Sequence, residues 1–368
     1  MTAFTKSWIG TTGDYSLFSN WRQINIRSSA YAWTLSGSGT SEYYLRTAAL
    51  GNPGIASPGS VLENGTALTS GSLGSLVASR YGYGDNDTLG YSTIYVRTSG
   101  SVDPDGLADG AISFRSIPIA GDSVVIPEDS GDITSGLDQS AVAIVDFIVE
   151  EGYQGTIGSL TGPLRIDPDR FVFHGGGSSE FCYIDLTTAV IPAEVRGTSS
   201  AGVGEAGLYL IGSAITLLDV QGGSVAFGLL PGLAATLTTG ARTRGSTAKL
   251  LIGSAAVVPL LQCMAGEVHH ENSIADILLT GGTVRTKRAA AVSGVVTVSG
   301  GTWYDQSTGT KASVIINGGN VDTTQAGGAV TWTALLPTSG TLKDDKSRLT
   351  ITAITRPTLS GSFSWLRP

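Results

Sequence analysis

Cysteine is almost missing from this chain. Cys182 and Cys263 stand alone in 368 residues, too few for a disulfide framework, so two buried thiols are expected. Histidine is nearly as scarce, limited to His174, His269 and His270. No Gly-x-Ser-x-Gly elbow sets a serine beside any of them, which argues against a hydrolase triad. His269 and His270 are adjacent, and neighbours on a strand point to opposite faces, so a shared metal is not expected. Charged residues make up only 14% and sum to −8, which argues against a nucleic-acid coat or a basic membrane binder. No apolar run reaches membrane-spanning length, and residues 1–8 lack the apolar core of a secretory signal. Neither a membrane partner nor export is therefore expected, and synthesis in a cytoplasm is. Helical periodicity with caps is absent, as is a Gly-x-x-x-x-Gly-Lys phosphate loop. No cofactor is expected.

Glycine, in contrast, is abundant at 51 residues, and hydrophobic residues reach 41% in strand-sized runs, which excludes disorder. In residues 208–325 apolar runs repeatedly meet at a glycine pair: Gly222-Gly223, Gly281-Gly282, Gly300-Gly301 and Gly318-Gly319. Gly281 to Gly300 is 19 residues, Gly300 to Gly318 is 18, and Gly222 to Gly281 is 59, close to three steps. Leu210-Ile211-Gly212-Ser213-Ala214 returns 41 residues later as Leu251-Ile252-Gly253-Ser254-Ala255, about two steps. A period of this size fits one coil of a β-solenoid, with glycine turning the corner between short strands. The expected fold is all-β: a single-stranded parallel β-helix of about 18–20 residues per coil. A β-sandwich with accidental glycine spacing is the competing reading.

Taken in order, residues 1–21 hold Trp8 and Trp21 and are expected to start or cap the first coil. Ser19-Asn20-Trp21 and the distant Pro118-Ile119-Ala120-Gly121-Asp122, followed by Ser123-Val124-Val125-Ile126, resemble the two halves of a pattern known from β-helical repeat proteins. In that pattern the halves are separated by about a dozen residues, whereas here roughly 95 intervene, with a separate piece at about 22–112. The resemblance implies a module inserted at the first coil; two unrelated loops are the plain alternative. The intervening residues include Tyr31, Trp33, Tyr43, Tyr44, Tyr81, Tyr83, Tyr91 and Tyr95, punctuated by Pro53, Pro58 and Pro104. They read as a small antiparallel β domain. The β-helix is expected over 113–328, and 329–368, with its charged patch at 343–348 and its Trp365 tail, as a C-terminal cap.

Candidate chemistry is thin. Carboxylate pairs of the kind that hydrolyse glycosides, about 5–10 Å apart, could be drawn from Asp167 with Asp169, Asp146 with Glu150, or Asp276 with Glu267. Asp167-Pro168-Asp169 has same-face spacing if extended, and is also an ordinary turn sequence. Asp85-Asn86-Asp87 and Asp103-Pro104-Asp105-Gly106 could hold calcium, but neither matches the twelve-residue calcium loop, and Asx-turns are the simpler reading. No catalytic residue is assigned.

The stretch Tyr81-Gly82-Tyr83-Gly84-Asp85-Asn86-Asp87, with Gly90-Tyr91-Ser92-Thr93-Ile94-Tyr95-Val96-Arg97 and Asp103-Pro104-Asp105 after it, resembles a module of tailed-bacteriophage virion proteins. The resemblance covers about a third of the chain. It implies a structural virion protein, most simply a capsid decoration or cement protein assembled in the host cytoplasm. Its partners would be the major capsid protein and copies of itself, as a homotrimer. The candidate interaction surface is Tyr81, Tyr83, Asp85, Asp87, Tyr91, Tyr95 and Trp365. The alternative is a tailspike or tail fibre that binds, and in some cases cleaves, host polysaccharide. A bacterial surface adhesin is a third reading.

Overall fold

The structure, a computed structural model, describes residues 5–9, 13–16, 20–22, 24–25, 32–46, 57–108, 111–175, 181–186, 190–198, 207–229, 235–287, 290, 292–344, 348–355 and 361–366. Tyr31, Pro53 and residues 345–347 of the charged patch lie outside them. The described residues are all-β, with a 3₁₀ turn at Pro104–Gly106 and no α-helix among them. They divide into two compact units, Met1–Phe147 and Ile148–Pro368.

In the first unit the two halves of the bipartite pattern meet. Thr5–Ser7 pairs in parallel with Ser123–Ile126, matching Thr5 with Ser123 and Ser7 with Val125. Trp8, Tyr15 and Trp21 pack as a buried trio, with Trp21 5.2 Å from Trp8 and 4.8 Å from Tyr15, centroid to centroid. Their polar atoms are satisfied by the same loops: Trp8 Nε1 donates to Gly131 O, Trp21 Nε1 to Tyr15 O and Asn20 Nδ2 to Asp14 O. The residues between these two paired segments belong to the same unit. They form two small sheets. One joins Ile24–Asn25, Ile112–Arg115, Ser60–Glu63 and Thr66–Ala67; the other joins Ala32–Leu35, Tyr43–Arg46, Thr93–Arg97, Arg80–Gly84 and Thr69–Ser70. Pairing is antiparallel except for Thr69–Ser70 against Arg80–Gly84. Trp33, Leu45, Val61, Ile94, Val96, Ile112 and Phe114 supply a separate core.

The second unit is a parallel β-solenoid, not a sandwich. One ladder stacks Cys182–Asp185, Leu208–Ile211, Ser224–Phe227, Lys249–Ile252, Glu267–His270, Thr283–Thr286 and Thr302–Asp305. A second stacks the ends of Ile215–Val220, Ala235–Thr243, Ala256–Cys263 and Ile274–Leu279 with Val295–Val298. The beginnings of the longer strands form a third, set off by register shifts such as that between Thr236 and Ala241. Each coil thus contributes up to three short strand segments.

The glycine pairs are the corners between the second ladder and the first. Gly223, Gly282, Gly301 and Gly319 all have positive φ. Register stacks Gly266, Gly282, Gly301, Gly319 and Gly340 into one column, each just before a strand segment of the first ladder. A Cβ on Gly282 or Gly301 would sit 2.4 Å from the carbonyl oxygen of the corner below. Only glycine permits both that approach and that φ. The 59-residue spacing is three coils, through Ala248 and Gly266. The second echo is one residue out of phase. Leu210 stacks on Phe227 and Phe227 on Ile252, whereas Leu251 stacks on Ala226, which stacks on Tyr209.

The ladder does not stop at 328. Val330–Lys343, Leu349–Ile354 and Phe363–Leu366 continue it in parallel, so the stretch expected as a cap adds coils. Alternation places every second side chain inside. One inner column is apolar throughout: Cys182, Leu208, Val225, Leu250, Val268, Val284, Trp303, Val321 and Leu342. The neighbouring column changes character. Ile184, Leu210, Phe227 and Ile252 give way to His270, Thr286 and Asp305, all fully buried.

Candidate functional site

The Tyr-Gly-Asp-Asn-Asp stretch is built as a brace. Its first strand, Arg80–Gly84, packs Tyr81 and Tyr83 against the insert's core. Tyr95, on Thr93–Arg97, is fully buried, and its hydroxyl accepts hydrogen bonds from the backbone of Asn86 (3.0 Å) and Asp87 (3.2 Å). Burial pushes its pKa up to about 12. Asp87 accepts from Ser36 Oγ and Gly37 N, both at 2.8 Å, and so ties two loops together. Asp85 accepts from Leu89 N and Gly90 N, an Asx-type closure. Asp103 caps the 3₁₀ turn, and Asp105 accepts from Trp33 N.

Of the expected interaction surface, Tyr95 is therefore structural, because its ring is inside the sheet and its hydroxyl holds a loop. Tyr81 and Tyr83 present only part of their rings, whereas Asp85 is exposed and Asp87 and Tyr91 are half-buried. Trp365 belongs to the second unit. It stacks on Leu342 and donates from Nε1 to Asp344 Oδ2 at 2.6 Å, so it closes the inner column and is half-buried.

On the solenoid, the two adjacent histidines separate as alternation requires. His270 is buried, with Nε2 2.7 Å from Thr286 Oγ1. Burial lowers its pKa to about 4. His269 faces outward and meets Glu267 Oε1 at 2.7 Å, which also receives Arg285 Nε at 2.8 Å. Burial alone would raise the Glu267 carboxyl, but these two partners leave it below its ordinary value. Arg285 in turn lies over the Tyr304 ring, 4.2 Å from its centroid. Beside them Lys249, Leu251, His269, Glu271 and Lys287 line a shallow cavity. On the second ladder Asp219 holds Arg242 (2.9 Å) and Arg244, and Glu194 takes both Arg196 and Gln221.

The carboxylate pairs divide. Asp276 accepts from Val295 N in the next coil, away from Glu267 and its ladder. Asp146 accepts from Ser123 Oγ, and Glu150 is exposed. Asp167 and Asp169 lie in the strand Leu164–Phe173, on either side of the buried Pro168, so the extended reading holds and both face outward. Among the described residues no group of three or more His, Cys, Asp and Glu is arranged to hold a metal.

Sequence reasoning missed the buried ionic groups. Glu42 is fully buried and accepts from Gly74 N and Leu76 N. Lys6 pairs with Asp122, and Lys311 with Asp305, each side chain at most 1% exposed. Partners so far apart in sequence as Lys6 and Asp122 leave no local signal. Comparison with family models, curated proteins and solved structures finds no match to this chain. The geometry thus defines a class, a parallel β-solenoid accompanied by small antiparallel sheets near the N-terminus.

Proposed function

We propose that the chain is a structural virion protein of a tailed bacteriophage that decorates or cements the capsid shell. The observation that carries this reading is the phage-like Tyr-Gly-Asp-Asn-Asp module, folded on its own core between the two halves of a β-helix start pattern. The candidate carboxylates outside Leu164–Phe173 are engaged in structural hydrogen bonds or ion pairs, or sit alone at the surface. Function then lies in adhesion. Flat solenoid faces and the exposed rim of the insert would bury area against the major capsid protein and against other copies of the chain, in a homotrimer. Assembly would take place in the host cytoplasm.

One observation favours the tailspike alternative: Asp167 and Asp169 share an outer face, as the carboxylates of a glycosidase must. Imaging of the virion at a resolution that resolves this chain separates the two. Many copies distributed over the head support decoration. A few copies at the tail favour the tailspike, and absence from the virion overturns both. If Asp167→Ala/Asp169→Ala abolishes a polysaccharide-degrading activity, the enzymatic version stands; intact virion assembly with no such activity in the parent protein supports the structural one.

A further inference from the structure

Inside the solenoid, just past Thr302–Asp305, three polar side chains converge where the chain turns towards Gly309–Asp322. Lys311 and Asp305 are 1% and 0% exposed, with Nζ 3.1 Å from Oδ2. Despite that approach Oδ2 takes no hydrogen bond among the described residues, so the ammonium stands off the lone-pair direction. Ser307 bridges the two groups. Its hydroxyl donates to Asp305 Oδ1 at 2.5 Å and accepts from Lys311 Nζ. Trp303, two residues before Asp305, and Trp332, the register partner of Lys311, are fully buried and stack at 5.9 Å.

We propose that Lys311 and Asp305 are joined in the folded protein by an amide bond between their side chains. The buried ion pair first neutralises by passing one proton from the ammonium to the carboxylate. The free amine attacks Asp305 Cγ and forms the C–N bond. Its surplus proton passes through the Ser307 hydroxyl to Oδ1, the C–Oδ1 bond breaks, and Oδ1 departs as water. Oδ2 remains as the amide oxygen. The condensation needs no oxidant and no external donor. In water, solvation of the two ions opposes it. Here both ions are already stripped of water, and forming a neutral amide removes the cost of keeping them so. Lys311 and Asp305 are 1% and 0% exposed, which keeps bulk water from the reverse step.

The pair in the other unit marks the limit of the inference. Lys6 Nζ and Asp122 Oδ2 are 3.7 Å apart. Lys6 donates to Ser116 and lies 5.4 Å from the Phe114 centroid, while Asp122 Oδ2 accepts from Ile119 N. Each ion is held by its own partners, and this pair is expected to remain ionic.

Intact-mass measurement on the denatured full chain, after purification in folded form, tests the proposal. The expected mass is one water below that of the sequence, with trypsin failing to cut after Lys311 and fragmentation showing a closed loop from 305 to 311. Ser307→Ala, which keeps both reacting groups, should leave a substantial uncondensed fraction, and Lys311→Arg should restore the full mass. A folded protein of full mass whose Lys311 is cut by trypsin overturns the proposal. So does a water loss that leaves Lys311 cleavable, such as an aspartyl succinimide, or one that maps to Lys6 and Asp122.

Discussion

Two lysine–aspartate pairs, one in each unit, solve the same problem of burial differently. Lys6 sits under the tryptophan-bearing start of the first coil, and its charge is shared among Ser116, Asp122 and the Phe114 ring. Burial still lowers its pKa to about 8. Lys311 has Asp305 and the serine that also serves Asp305. The first ion keeps a hydroxyl and a ring that do not depend on its counter-ion; the second shares its hydroxyl with its counter-ion. A buried charge with fewer independent partners is the more fragile when its counter-ion goes.

The largest effect should therefore come from the second pair. Asp305→Ala leaves the Lys311 ammonium buried without its counter-ion and should cost about 3–5 kcal/mol. Replacing both partners by apolar residues, Asp305→Leu with Lys311→Met, should recover most of that loss. The urea midpoint of each variant measures it. Asp122→Ala should cost less, since Ser116 and the Phe114 ring still contact Lys6. Equal losses at the two sites would erase the distinction between them.

The next contrast is between glycines. Gly282→Ala forces a side chain into positive φ and into the carbonyl oxygen of Gly266, a combined cost of about 2–4 kcal/mol. Gly65, in the insert, also has positive φ but meets nothing within 4 Å, so Gly65→Ala should cost only about 1–2 kcal/mol. Thermal unfolding of the two variants separates conformational strain from coil stacking.

His270 probes where the inner column turns polar. Burial disfavours its protonated form and outweighs the hydrogen bond to Asn272 O that favours it. In the unfolded chain it takes up a proton near its ordinary 6.5; in the folded chain only near 4. Stability is then fully present above pH 6.5 and falls as pH drops to about 4, by about 3 kcal/mol at most. His270→Phe should flatten that part of the profile. Phe227, two coils earlier in the same column, already carries an aromatic ring there.

How far these features can be read from sequence depends on how local their causes are. The glycine corners are legible because one residue's backbone freedom creates each of them. The opposite facing of His269 and His270 follows from strand alternation alone. The coils beyond 328 are not legible from glycine pairs, since the corner there is the single Gly340 after Thr338 and Ser339. The buried role of Tyr95 is hidden because its hydroxyl partners lie across a hairpin. The change from Ile252 to His270 in the inner column shows only once register aligns the coils.

Tyr95→Phe is the smallest perturbation and the most direct test of the insert's brace. It keeps the ring inside the sheet and removes only the acceptor for Asn86 N and Asp87 N. Loss of one shared acceptor at a partly wet loop should cost about 1 kcal/mol. The larger consequence is local, because Asp87 also fastens Ser36 and Gly37, so the backbone at 36–37 and 86–87 should exchange its amide hydrogens faster. Because the insert packs on its own core, the solenoid corners at 282 and 301 should exchange as before. Faster exchange confined to 36–37 and 86–87 marks Tyr95 as a local clamp, whereas faster exchange that also reaches 282 and 301 would mean that the two units share one cooperative transition.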